Sequence, residues 1–131
     1  MKIHLFIGFV FILFTSGYSQ EVLDSVKVKE QPPEYVGGKI ALDKFIEQNL
    51  KFPEKYKNEI NFKPCRVLVK FIIDETGKII NPQIAKGCFG FDACDLEALR
   101  LVSLMPLWIP AKKDNKPVKR SYSLPFDFTR Q

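Results

Sequence analysis

Between Cys65 and Asp74 the chain alternates in a way that suits an extended strand and little else. Cys65, Val67, Val69, Phe71 and Ile73 fall on one side, while Arg66, Lys70 and Asp74 share the other with Leu68 and Ile72. Successive side chains of a strand point to opposite faces, so a β-strand with one face in the core is predicted. Asp74-Glu75-Thr76-Gly77 is a turn sequence in which Gly supplies a positive φ. Lys78 to Lys86 returns as a second strand, and Pro82 within it marks an edge position or a bulge.

Helical periods flank this hairpin. Leu42, Phe45, Ile46 and Leu50 recur at helical spacing, with Asp43, Lys44, Glu47 and Gln48 opposite. Gly37-Gly38 opens this helix, about Lys39 to Asn49, and Phe52-Pro53 closes it, because a Pro biases its predecessor out of the helical region. A second helix starts where Asp92 can cap it, with Asp95 favouring the same N-terminus. Its inward stripe is Cys94, Ala98, Leu101, Val102 and Met105, and Pro106 stops it. After a turn rich in Trp and Pro, Val118 to Phe128 reads as the last strand. Tyr122, Leu124, Phe126 and Phe128 point one way; Ser121, Ser123 and Asp127 point the other. Pro125 cannot donate to a ladder, which places this strand at an edge. The order α-β-β-α-β predicts an α+β domain, a three-stranded antiparallel sheet with two helices on its apolar face.

The N-terminus reads as an export signal. Lys2 precedes an uninterrupted apolar run, Leu5 to Phe14, and then a small, polar stretch in which Gly17 and Ser19 suit a cleavage site. The run is too short for the roughly 20 residues that span hydrocarbon, so a retained inner-membrane anchor is the lesser alternative. The division that follows is a signal peptide over residues 1–19, an extended lead-in over 20–35 containing Pro32-Pro33, and a domain over 36–131. The expected location is the periplasm.

Composition excludes several function classes. The single His is His4, inside the predicted signal, so the exported chain has no imidazole for a Ser-His-Asp or Cys-His mechanism. The net charge of +5 comes from scattered Lys and Arg, with only short pairs such as Lys112-Lys113 and Lys119-Arg120. Nucleic-acid modules concentrate charge on one element and interleave stacking aromatics, so no nucleic-acid partner is expected. Asp74, Asp92, Asp95 and Glu97 form no acid–base pair, since turn and cap roles account for the first three. No enzyme activity and no cofactor are predicted. The three Cys, without His, also argue against a zinc site. In an oxidising compartment cysteines pair: the short loop around Gly90 suggests a local Cys88–Cys94 bridge, with a Cys65–Cys88 link or three thiols as alternatives. Trp108 is read as a plug at the end of the core rather than a binding anchor.

Taken together, the residues resemble the C-terminal domain of TonB energy transducers over about Gln31 to Arg130. The resemblance is carried by Pro33-Glu34-Tyr35-Val36-Gly37-Gly38, by Ala41, Leu42 and Phe45, and by Phe52-Pro53. It continues through Val67 to Asp74 with Gly77 and Ile79, and through Cys94-Asp95-Leu96-Glu97-Ala98-Leu99-Arg100 with Met105-Pro106, Trp108 and Pro110. Lys116-Pro117-Val118 and Leu124-Pro125-Phe126 complete it; Val36 stands where Pro is common in the family.

The resemblance implies a periplasmic recognition domain whose partners are TonB-dependent outer-membrane transporters. A short periplasmic segment of the transporter adds as a strand beside the domain's last strand. By position, the implied partner-binding residues are Lys119, Arg120, Ser121, Tyr122, Ser123 and Leu124, together with Asn49, Leu50, Lys51, Phe52 and Pro53. Full transducers also carry a membrane helix and a long Pro-rich spacer. A lead-in of about 15 residues reaches at most roughly 50 Å, so inner-membrane motor proteins would act in trans. A homodimer through edge strands and an accessory role in the envelope or on peptidoglycan are the alternatives.

Overall fold

The computed structural model describes residues 29–130. The segment read as an export signal lies outside them. The predicted hairpin organises the rest. Strand β2 (Cys65–Ile73) is the middle of a three-stranded antiparallel sheet, ordered β3-β2-β6 with β3 (Ile79–Lys86) and β6 (Arg120–Phe128). β2 and β6 pair without a break from Cys65 opposite Phe128 to Ile73 opposite Arg120. The alternation now has a physical consequence: Val67, Val69, Phe71 and Ile73 are buried beside Leu124, Phe126 and Phe128. On the other face Arg66 and Asp127, directly opposed, form an exposed two-pronged ion pair at 2.6 and 3.1 Å.

The turn between β2 and β3 is built by Asp74. Its carboxylate accepts from the Thr76 hydroxyl (2.6 Å) and from the Thr76 and Lys78 amides (2.9 Å each). These bonds, the Thr76 hydroxyl first, hold its pKa below the ordinary carboxylate value. β3 is the outer strand, with Pro82 inside it, Asn81 at φ 52° and a register against β2 that slips twice. That is the irregular edge Pro82 predicts.

Helix α1 (Gly38–Asn49) and helix α2 (Asp92–Leu104) pack on the apolar face of this sheet. From α2, Cys94, Ala98, Leu101 and Val102 enter the core; from α1, Leu42 is buried, and Phe45 and Ile46 pack against it. Asp92 is the first residue of α2 rather than its cap. Its carboxylate accepts from the Tyr56 hydroxyl (2.9 Å) and Lys55 (3.0 Å), and that hydroxyl in turn accepts the Ala93 N–H (3.2 Å). A tyrosine brought in by a 3-10 turn, Glu54–Tyr56, thus performs the cap.

Two elements differ from the sequence expectation. The last strand is not continuous from Val118. A separate small sheet is formed by β1 (Glu30–Gln31), β4 (Ala111–Lys113) and β5 (Lys116–Val118), and the chain breaks at Lys119 before β6 begins. Asp114 and Asn115 both adopt positive φ, 52° and 65°, and make the tight turn between β4 and β5. The described part of the lead-in is extended but belongs to the fold. Glu30 and Gln31 pair with Lys113 and Lys112, Glu34 bridges Ile109, and Tyr35 is buried.

Candidate functional site: the free margin of β6

Among the described residues β6 has a strand neighbour on one side only, β2. Pro125, opposite Leu68, has no N–H to give. The regular alternation of an antiparallel ladder therefore turns its backbone away from β2. The same alternation turns the backbone of Ser121, Ser123 and Asp127 outward. Each of these but Pro125 presents both an N–H and a C=O; Pro125 offers only its carbonyl. Tyr122, Leu124, Phe126 and Phe128 spend their backbone groups on β2 and their side chains on the core face.

A hollow of about 360 Å³ runs beside this margin, on the side of the sheet that carries the helices. Tyr122, Leu124 and Pro125 form its sheet wall, Leu42 and Ile46 of α1 the facing wall, and Tyr35 one end. Lys39 and Asp43, paired at 2.6 Å, and Glu34 stand at its rim. Among the described residues the sheet ends at β6, and the hollow lies between that margin and α1.

The tyrosines at the hollow rest on Trp108. Its indole is 3 % exposed and meets Tyr35, Phe71 and Tyr122 edge-on, at centroid distances of 5.5, 5.6 and 4.9 Å. The Trp108 amide donates to the Gly77 carbonyl at 2.8 Å. Gly77, at φ 89°, lies so close that a Cβ there would sit 1.9 Å from the Trp108 carbonyl oxygen. Trp108 is a core plug, and it ties the β2–β3 turn to the floor of the hollow.

The second predicted group, Asn49 to Pro53, does not line this hollow. Arg100 donates to the Asn49 carbonyl (2.9 Å), and Glu97 accepts the Lys51 N–H (2.8 Å), so the segment is strapped to α2. Lys51, Phe52 and Pro53 line a separate, shallower depression with Leu96, Glu97 and Arg100. Burial would raise the Glu97 pKa, but the Arg100 guanidinium and the Lys51 amide outweigh it and hold the carboxyl below its ordinary value. Sequence reasoning missed the α1 wall. The periodicity marks Leu42 and Ile46 as inward-facing, but not that the sheet ends before it reaches them.

The cysteines also pair differently from the local bridge favoured by spacing. Cys65 bonds Cys88, with Cα atoms 5.8 Å apart, and Cys94 is free and buried. The register explains the choice. Leu68 faces Lys86, so continuing both strands past the open end of the hairpin brings Cys65 to Cys88. Cys94 instead points into the core from α2, where burial first, then Asp95 and Asp92, pushes its thiol up to about 11. Its neighbour Asp95 accepts the Cys88 N–H at 2.9 Å.

No curated protein matches the chain significantly. A family model does: the one described as Gram-negative bacterial TonB protein C-terminal matches residues 48–129, from the end of α1 through β6. Its span holds the hairpin, α2, the Trp108 plug and the open strand, and this chain belongs to that family.

Proposed function

We propose that this chain binds an extended periplasmic segment of a TonB-dependent outer-membrane transporter as a fourth strand beside β6. The family supports the reading in general terms: its domains are transport-related protein-interaction modules of the periplasm that engage outer-membrane transporters. The observation that carries the reading is the unpaired β6 margin lying against an apolar hollow. Main-chain bonds to Ser121 and Ser123 supply affinity without reading sequence. Alternate side chains of the added strand fall into the hollow against Leu42, Ile46 and Tyr122, and those between them face solvent. Pairing ends at Pro125, which offers a carbonyl but no donor. The predicted signal segment and the Cys65–Cys88 bridge support a periplasmic location.

Proline substitution tests this directly. Ser123→Pro removes an outward N–H without touching the ladder to β2. Affinity for a synthetic periplasmic segment of an outer-membrane receptor should fall at least tenfold while the circular dichroism spectrum stays unchanged. Equal affinity for the wild type and the folded variant would place the partner elsewhere on the domain.

A further inference from the structure

Three sulfur atoms converge at the open end of the β2–β3 hairpin, well away in sequence from the β6 residues that the proposed strand addition uses. The Sγ atoms of Cys65, Cys88 and Cys94 all lie within 4.8 Å of one another. They come from three separate pieces of the fold: the first residue of β2, the loop after β3, and the first turn of α2. Cys88 and Cys94 are buried and Cys65 is half-buried, so the cluster is closed on its core side and reachable from its β2 side.

While the Cys65–Cys88 bond is intact, two of the three sulfurs have no lone thiolate to offer. Reduction changes the donor count. A dithiol gives the bridge two electrons and two protons and is itself oxidised to a disulfide, which leaves three thiols on this chain. We propose that the reduced Cys65, Cys88 and Cys94 bind one thiophilic divalent cation, of the Zn²⁺ or Cd²⁺ class. Three thiolates around a tetrahedral ion with metal–sulfur bonds of about 2.3 Å lie roughly 3.8 Å apart, so the Cys94 sulfur needs to close in by no more than about 1 Å while the Cys65 and Cys88 sulfurs, released from their bond, separate to that distance. No imidazole is required, because thiolates alone suit soft cations.

Charge selects a divalent ion. Three thiolates and a 2+ cation carry one net negative charge, whereas a monovalent cation would leave two on a cluster that is buried on two of its three sides. Binding releases the three thiol protons, and water on the Cys65 side completes the coordination. The Asp95 carboxylate holds the Cys88 amide and so positions that sulfur. The bridge and the ion exclude one another: oxidation expels the metal, and the metal protects the thiols from oxidation.

The test uses the full chain, reduced with a dithiol, freed of it anaerobically, and titrated with Cd²⁺. The expected result is thiolate-to-metal charge-transfer absorption saturating at one ion per chain, with slower re-formation of the bridge on adding oxidant. The oxidised chain should show no such absorption. Cys94→Ser and Cys94→Ala keep the bridge-forming pair, and each should bind at least 100-fold more weakly while retaining the circular dichroism of the parent. Equal Cd²⁺ affinity in the parent and either folded variant overturns the proposal. So does a reduced chain that unfolds and stays unfolded with Cd²⁺ present.

Discussion

Gly77→Ala should damage this domain more than any other single methyl addition at a turn. The residue sits at φ 89°, a region that costs an L side chain roughly 1–2 kcal/mol. The added Cβ would also stand 1.9 Å from the Trp108 carbonyl oxygen, where ordinary van der Waals contact lies at 3.4–4 Å. Relief requires the Trp108 backbone to retreat by more than about 1 Å. That breaks the hydrogen bond its N–H donates to the Gly77 carbonyl, about 1 kcal/mol, and loosens an indole packed on Tyr35, Phe71 and Tyr122. The sum is about 3 kcal/mol, a drop in Tm of roughly 12–24 °C for a domain of this size. Gly90→Ala is the control. Its φ is 82°, but nothing lies within 4 Å of its Cβ, so only the backbone strain of roughly 1–2 kcal/mol applies. Urea denaturation of both variants separates strain from close approach. Equal losses in the two would refute the argument that Trp108 is clamped to the hairpin turn.

Other perturbations have equally definite outcomes. Replacing Cys65 and Cys88 together by Ser opens a loop of 23 residues' separation and should cost about 3 kcal/mol by the chain-entropy estimate, read from urea midpoints; an unchanged midpoint would mean the bridge constrains nothing. Glu97 has a lowered pKa in the folded chain, so its stabilisation is present above its unfolded pKa near 4.3 and is lost as pH falls through the folded value. Glu97→Gln should therefore flatten the acid limb of the stability curve, and an acid limb identical to the parent's would show that the strap on Lys51 contributes nothing. Arg66→Ala should change stability little, because both partners of its ion pair are exposed; a large loss would contradict that assignment.

What the sequence reveals here follows the length over which a pattern repeats. β2 and β6 run nine residues each with clean alternation, so their faces and the edge position of β6 are readable from Val67 to Ile73 and from Tyr122 to Phe128. β1, β4 and β5 are two or three residues long and carry no period, although Asp114-Asn115 is a recognisable hairpin turn. The bridge escapes a reading based on sequence distance, which favours Cys88 with Cys94. Counting strand register outward from Gly77 points to Cys65 instead. The α1 wall of the hollow is the least legible feature. Leu42 and Ile46 look like any core stripe, and their place beside the hollow depends on where a strand nearly eighty residues away lies.

Amide hydrogen exchange along β6, measured with and without a periplasmic segment of an outer-membrane receptor, asks the question most directly. In the free chain the Ser121 and Ser123 amides should exchange fast and the Tyr122 and Leu124 amides slowly. Binding should slow Ser121 and Ser123 by at least tenfold and leave the alternate pair as it was. A segment that binds while Ser121 and Ser123 continue to exchange at their free rates would contradict strand addition at this margin.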